Sequence, residues 1–323
     1  MTIAMATTSS PKHPPPDLKE RLIGGLLLAS LIHVWLFGVI VVPLAMYQLL
    51  AQGDYRIALG LLLYYAYRSV FPTKEWGIVR NIYRAGNRYF YPQEVIFDGF
   101  NEIKPDSRSL ICMHPHGILT IGWALTSTSP TMAHANVKWL VTEALLRLPF
   151  ISDFLSWNGC AHASKSYMQN RMTKGANLAL LPGGFEEASL YQRNTYRVYV
   201  RKRTGFIVYA LRYGYKIYPS FVFGEEKCYF SLIPDWGWLT ATRLWLNQYR
   251  IPAVAFVGKL FLVPGWDSHL ITVIGAPVVL PRLDKPTEEE VGKYHLMYVS
   301  ALMELFEKHK RQYCEKGAKL ELW

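Results

Sequence analysis

The sequence predicts an α/β domain, a mostly parallel or mixed sheet flanked by helices, carried behind an N-terminal membrane hairpin. Three observations predict it. Residues 22–51 contain no Asp, Glu, Lys or Arg. From residue 72 onward, short unbroken apolar runs are separated by helical stretches, the pattern of strands covered on both faces. Two glycine-bearing segments, His114-Pro115-His116-Gly117 and Pro182-Gly183-Gly184, each follow directly on such a run, where open α/β sheets bind ligands.

Composition sets the outer bounds. The 323 residues are 51% apolar and 18% charged, against about 25% charged in an average soluble chain. A chain this apolar buries enough surface to offset the entropy of ordering, which excludes wholesale disorder. Four cysteines with no C-x-x-C pair exclude a disulfide scaffold and suit a reducing compartment. The formal charge of +11 leaves three kinds of partner: nucleic acid, an anionic membrane surface or a phosphorylated ligand.

Along the chain, residues 1–20 are rich in Thr, Ser and Pro and read as a loose tail. Residues 21–71 read as the membrane hairpin. Its first leg, Leu22 to Ala51, is polar only at Ser30, His33 and Gln48 and is broken by Pro43. About 20 apolar residues cross the hydrocarbon, so this leg is long enough to enter a bilayer, and it is too long for a cleaved signal peptide. After Gln52-Gly53-Asp54-Tyr55-Arg56 comes a second run, Ile57 to Tyr67, too short to span comfortably, so this leg is either interfacial or the return arm of the hairpin. Basic residues flank both legs while the connection holds only Arg56, which predicts both ends on the cytosolic side.

Residues 72–323 suit one α/β domain. Strands are expected at 109–113, 137–141, 176–181, 216–223, 253–257 and 270–274. A helix is expected from Thr204 as N-cap to Tyr213, closed by Gly214. Thr287-Glu288-Glu289-Glu290 has capping-box spacing and opens an amphipathic helix through Tyr298, Leu302 and Leu305. There is no internal repeat.

Three segments carry chemistry. In His114-Pro115-His116-Gly117 the proline holds its own φ and extends His114, and the glycine lets the backbone turn or a ligand approach. An imidazole with an ordinary pKa near about 6.5 is available as a base at neutral pH. A chance pair of turn histidines is the bland alternative. In Pro182-Gly183-Gly184-Phe185-Glu186-Glu187 the glycines expose amide donors for an oxyanion or phosphate, and a carboxylate beyond them can orient an imidazole. Here the bland alternative is a tight turn followed by solvated glutamates. The stretch Arg193, Arg197, Arg201, Lys202, Arg203, interleaved with Tyr191, Tyr196 and Tyr199, runs into a helix N-terminus at Thr204-Gly205, an anion site. Behind a membrane leg it reads as a site for coenzyme A phosphates or anionic headgroups rather than nucleic acid. A solvated basic face is the alternative. No G-x-S-x-G elbow is present, and Cys112, on the face of His114, reads as a small core residue before an acylated thiol.

These residues together resemble the diacylglycerol acyltransferase type 2 family, which includes monoacylglycerol and wax-alcohol acyltransferases. The resemblance rests on His114-Pro115-His116-Gly117, on Pro182-Gly183-Gly184 with Glu187, and on Arg203-x-Gly205-Phe206 through Ala210, Gly214 and Pro219 to Phe223-Gly224-Glu225. It continues through Val273-x-Gly275-x-Pro277 and His295-x-x-Tyr298-x-x-Ala301-Leu302 to Leu305-Phe306 and His309-Lys310, covering roughly 89–310. Tyr89-Phe90-Tyr91-Pro92 looks like the family's Y-F-P element with one extra residue, and the H-x4-D motif of the more distant glycerol-phosphate acyltransferases is absent.

The resemblance implies a glycerolipid-acyltransferase-like fold on the cytosolic face of the endoplasmic reticulum, with lipid droplets as a second location. It implies acyl transfer from acyl-CoA, a co-substrate, to diacylglycerol, with no further cofactor and no metal. His116 is then the expected general base. His114, whose place Glu takes in plant members of that family, contacts or orients substrate. Glu187 is the expected orienter of the base, with Glu186 behind it; the amides of Gly117 or Gly183 are the expected oxyanion donors. Pro115, Gly184, Gly205 and Glu225 complete the expected substrate-binding set, and Arg203 meets the phosphates of coenzyme A. Membrane lipids are expected partners, and a homo-oligomer is compatible. Two other classes stay open: a metal-dependent hydrolase built on His-x-His, whose remaining histidines show no ligand-like clustering, and a non-enzymatic lipid-droplet hairpin protein.

Overall fold

The structure, a computed structural model, describes residues 14–249, 253–259, 262–265 and 267–323. The chain opens with α1 (Leu18–Leu36), a π turn (Phe37–Val41) and α2 (Val42–Ala51), then reverses through 52–55 into α3 (Arg56–Val70) and α4 (Gly77–Arg84). Strands β1 (Gln93–Phe97) and β2 (Ser109–His114) lead to α5 (Ile121–Ser127) and α6 (Pro130–His134). Next come β3 (Lys138–Val141), α7 (Ile151–Trp157), β4 (Cys160–His162), α8 (Lys165–Thr173), β5 (Leu178–Leu180), α9 (Phe185–Leu190) and β6 (Tyr196–Val198). The rest comprises α10 (Gly205–Tyr213), β7 (Lys216–Phe223), β8 (Phe230–Ser231), α11 (Gly237–Asn247), β9 (Phe256–Val257), β10 (Leu270–Ile274), β11 (Val278–Val279), α12 (Glu288–Tyr313) and β12 (Leu320–Leu322).

The main sheet has the order β1-β10-β7-β2-β5-β3-β4, with β11 pairing β7 off that path. All neighbours along it are parallel except β10 against β7, so the sheet is mixed with a parallel heart, as the uninterrupted apolar runs predict. Every residue of β2 is buried, and alternate side chains enter two separate cores. Leu110 and Cys112 join Phe206, Tyr298 and Leu302 under α10 and α12, whereas Ile111 and Met113 join Ile121, Trp123 and Met132 under α5 and α6. Layers on both faces leave the strand exits at the sheet's end as the place for a site.

Local signals act as expected at two helices. Gly214 closes α10 at φ 63°, ψ 51°, a left-handed conformation that glycine adopts without a Cβ penalty. The Thr287 hydroxyl accepts from the Glu290 amide at 3.2 Å and the Glu290 carboxylate accepts from the Thr287 amide at 2.8 Å, a complete capping box at α12. Thr204 precedes α10 as expected, but its side chain makes no capping bond.

The expected tail lies largely outside the described residues, which begin at Pro14, and its last residues from Leu18 are helical. Among the described residues no helix is long and apolar enough to cross a membrane. The π turn divides the long apolar leg, and the first turn of α1 carries Lys19, Glu20 and Arg21. The helices nevertheless expose a broad apolar surface, including Leu26, Leu44, Leu62, Leu63 and Val70. Several contacts fasten them to the domain, among them the Tyr65 hydroxyl donating to the Arg147 carbonyl at 2.6 Å and Arg88 pairing with Glu20 at 2.8 Å. Gly24 lets α1 approach the backbone of Tyr89, where a Cβ would come within 2.8 Å of its amide nitrogen. Asp153 of α7 accepts from the hydroxyls of Tyr64 at 2.5 Å and Thr73 at 2.7 Å, and Arg68 lies 3.1 Å away.

Candidate active site

Strand β2 ends at His114, and the chain turns through Pro115, His116 and Gly117 before α5. Strand β5, parallel to β2 and next to it, ends at Leu180, so the turn at Pro182-Gly183-Gly184 emerges beside the histidine turn. Sequence motifs 68 positions apart are thereby neighbours.

A buried carboxylate joins the two turns. Glu187, in the first turn of α9, accepts from His114 Nδ1 at 2.7 Å and from the Tyr199 amide at 3.0 Å through Oε1, and from the His116 amide at 2.6 Å through Oε2. Gly183 makes room for it, since a Cβ there would fall 2.0 Å from Glu187 Oε1. On its other side, His114 Nε2 meets the Tyr298 hydroxyl of α12 at 2.9 Å. In the tautomer that keeps its proton on Nδ1, Nε2 accepts from that hydroxyl. His114 is fully buried, and both ring nitrogens are occupied.

His116 is the opposite case. Its side chain is only partly buried, and Nδ1 donates to the Gly117 carbonyl at 2.9 Å. That bond fixes the tautomer and leaves the Nε2 lone pair as a proton acceptor. Surrounding protein, including the Phe185 ring 6.1 Å away centroid to centroid, lowers its pKa below the ordinary 6.5 because burial disfavours the cation. Gly117 sits at φ +63°.

The expected relation between Glu187 and the base is therefore corrected in detail. Glu187 holds the ring of His114 and the main chain of His116, while the imidazole of His116 is oriented by a backbone carbonyl. Glu225 is also placed differently. It is buried beneath the turn, accepting from the Ile121 amide at 3.1 Å and the Gly122 amide at 2.6 Å at the start of α5, against the space a Gly117 Cβ would fill. Burial pushes its pKa up to about 8, partly offset by those two amides. It supports the turn from behind.

Arg203 pairs with Glu186 and lies with its guanidinium 5.3 Å from the Tyr199 ring centre, partly exposed beside the site. Gly205 opens α10 with free space where a Cβ would project. Gly184, at φ +58°, precedes α9. Much of the basic stretch is structural: Arg197 is bound to Asp235 and Glu321, Arg193 covers Phe230, and Tyr191 and Tyr196 are buried. Arg201 and Lys202 remain exposed.

Tyr298, read from the sequence as part of a buried helix stripe and of the family-like motif, had no expected role in the site. The available signal was a tyrosine among aliphatic stripe positions, because a buried phenol needs a hydroxyl partner. Its hydroxyl also lies against the thiol of Cys112, and burial pushes that thiol well above its ordinary pKa. Cys112 is thus a protonated core residue and not a nucleophile.

An apolar cavity of about 120 Å³ opens two residues beyond Gly117. Leu27 and Leu31 of α1, Tyr83 of α4, Leu119, Trp123 and Ala124 around α5, and Phe154 of α7 line it. Among the described residues no group of three His, Cys, Asp or Glu is placed to hold a metal ion.

Comparison with known proteins adds the following. The sequence profile of the family described as diacylglycerol acyltransferase matches residues 56–323. Acyl-CoA wax alcohol acyltransferase 2 of Mus musculus is 29% identical over 228 residues, spanning 66% of this chain and 68% of that protein. Diacylglycerol O-acyltransferase 2 of Dictyostelium discoideum is 28% identical over 304 residues, 87% of each chain. The crystal structure of the 1-acyl-sn-glycerophosphate acyltransferase PlsC from Thermotoga maritima aligns with a TM-score of 0.45 at 14% identity, covering 91% of this chain and 100% of that one.

Proposed function

Since this chain belongs to the diacylglycerol acyltransferase family, we propose that it transfers an acyl group from acyl-CoA to the free hydroxyl of diacylglycerol, forming triacylglycerol, with His116 as general base. The observation that carries the reading is the bond from His116 Nδ1 to the Gly117 carbonyl, which presents Nε2 as an acceptor on a partly exposed, neutral ring. His114 has no ring nitrogen left for an alcohol.

In the proposed step, Nε2 takes the hydroxyl proton as the oxygen attacks the thioester carbonyl. A carbon–oxygen bond forms, and the tetrahedral oxyanion is held by the amide of Gly117 or Gly183. It collapses by breaking the carbon–sulfur bond, and the departing thiolate recovers the proton from the imidazolium. Thiols have pKa values near about 8.5, so the sulfur leaves readily and no covalent enzyme intermediate is needed. Arg203, with Arg201 and Lys202, would hold coenzyme A phosphates beside the N-terminus of α10. The apolar cavity beyond Gly117 suits part of a hydrocarbon chain.

Residues 21–71 are proposed to embed in the endoplasmic reticulum membrane with the domain on the cytosolic side, or to sit on lipid droplets. The exposed apolar surface of α1, α2 and α3 supports this. Diacylglycerol resides in the bilayer and acyl-CoA carries a charged, water-facing head, so an enzyme joining them belongs at the boundary. Similarity to a wax alcohol acyltransferase supports a long-chain alcohol as the second acceptor class. The test is to supply the purified full chain with radiolabelled acyl-CoA and, separately, diacylglycerol, monoacylglycerol or a long-chain alcohol. Labelled triacylglycerol as the main product is expected; a wax ester as the main product selects the second acceptor, and no acyl transfer with any of them overturns the reading.

A further inference from the structure

Helix α11 is built inside out. Within residues 237–249 the single charged side chain, Arg243, is buried at 3% exposure, and its Nε donates to the Ala253 carbonyl at 2.8 Å. Thr240 is buried beside it, and Asn247 donates to the Phe185 carbonyl at 3.3 Å and to the Ser189 hydroxyl at 2.9 Å. The outer stripe follows helical spacing: Trp238, Ala241 and Thr242, Trp245, then Gln248 and Tyr249. Trp238 is 66% exposed, Trp245 52% and Tyr249 60%. Trp236 and Leu232 extend the same exposed patch along the preceding loop. A water-facing helix places its charges outward; here the one charge turns inward and the indoles turn out.

We propose that the outer face of α11 is a second membrane-contact surface, outside the N-terminal hairpin, that rests on a phospholipid bilayer carrying anionic headgroups. Tryptophan and tyrosine with Thr and Gln, and no charge, form the composition that settles at the headgroup level, where an aromatic body meets lipid and its polar edge meets water. Charge complementarity favours a bilayer as the occupant. Asp235, at the foot of the patch, accepts from Arg197 at 2.8 and 2.7 Å, a guanidinium it shares with Glu321, and the guanidinium of Arg193 covers the Phe230 ring at 4.1 Å. The exposed cations Arg201 and Lys202 lie in the turn that follows β6, the strand that carries Arg197, in a chain of net charge +11. The position matters as well, because α11 packs on α9, and Phe185 of α9 lies against the His116 ring. The inner face of α11 thus stands one helix away from the candidate active site.

The test uses the full chain in nanodiscs of phosphatidylcholine with and without phosphatidylserine. A spin label is placed at Thr242→Cys, with Glu289→Cys in the exposed first turn of α12 as the reference, in a background of Cys160→Ser and Cys314→Ser. Oxygen-accessible, nickel-chelate-shielded label at 242, with the reverse at 289 and stronger shielding in phosphatidylserine, is the expected result. A 242 label open to the nickel chelate, or dipolar coupling between labels on two copies, overturns the proposal. A second variant, Trp238→Asp with Trp245→Asp, keeps the native cysteines; turnover of a bilayer-resident acceptor should fall about tenfold or more, with a soluble short-chain acceptor unaffected. Equal loss with both acceptors counts against the proposal. The label reads lipid contact whether or not the chain transfers acyl groups, so its outcome is separable from that of the acyltransferase reading.

Discussion

Glu187→Gln isolates the carboxylate that joins the two turns. In the native site its two oxygens accept from three donors: His114 Nδ1, the Tyr199 amide and the His116 amide. Glutamine keeps the shape but offers one oxygen and one NH₂. Its better orientation leaves the oxygen with His114 and Tyr199, so the NH₂ faces the His116 amide, donor against donor, in a buried place. Losing that bond and burying two unsatisfied donors costs about 3 kcal/mol. For a chain of this size that lowers Tm by roughly 4–6 °C. The freed His116 amide also loosens the turn that aims the base, and misplacement on the order of 1 Å costs about 10²-fold in rate. The assay pairs thermal unfolding in detergent with acyl-transfer rates measured well below Tm. Glu186→Gln is the control for the stability arm alone, since its pairing with Arg203 is partly exposed and contributes little to stability. Glu187→Gln with native Tm and native rate would refute the role given to this carboxylate.

Three further outcomes follow from the same geometry. Tyr298→Phe leaves His114 Nε2 without its partner, lowering stability by about 1–3 kcal/mol by denaturant titration and reducing kcat with KM little changed; an unchanged kcat would count against it. Gly117→Ala must hold φ near +63° and place a Cβ 2.2 Å from Glu225 Oε1, displacing the carboxylate that serves α5, so stability should fall by about 2–4 kcal/mol; a native Tm would contradict this close approach. Glu225→Gln should flatten the pH dependence of stability: the folded chain keeps a proton up to about pH 8 that the unfolded carboxyl releases near 4.5, so this contribution is full below 4.5 and is lost as pH rises through 8. Unfolding midpoints measured across that window should decline less in the variant, and an identical decline would place the titration elsewhere.

What the sequence disclosed depended on how far burial wrote itself into residue type. Strands β7 and β10 match their expected limits because nearly every side chain in them is buried, and a strand covered on both faces shows as an unbroken apolar run. Strand β1, half-buried throughout and carrying Gln93 and Glu94, gives no such run. Strand β6 was hidden inside the basic stretch, where Arg197 serves ion pairs with Asp235 and Glu321 rather than an open cationic face. The candidate site was legible as two turns, because proline and glycine mark turns locally. How the groups connect was not. Whether Glu187 meets His114 or His116 depends on the register between β2 and β5, and the approach of Tyr298 depends on how α12 lies across the sheet, neither of which is a local property of the chain.

The central claim is that His116 is the base, and the pH profile of kcat/KM for the full chain, read beside His116→Ala, tests it most directly. Burial lowers the pKa of this imidazole, so the acid limb should have its midpoint below 6.5. The alanine variant should lose that limb together with about 10²- to 10⁴-fold of the rate. An alanine variant that transfers acyl groups at the native rate, with the acid limb intact, would contradict the account.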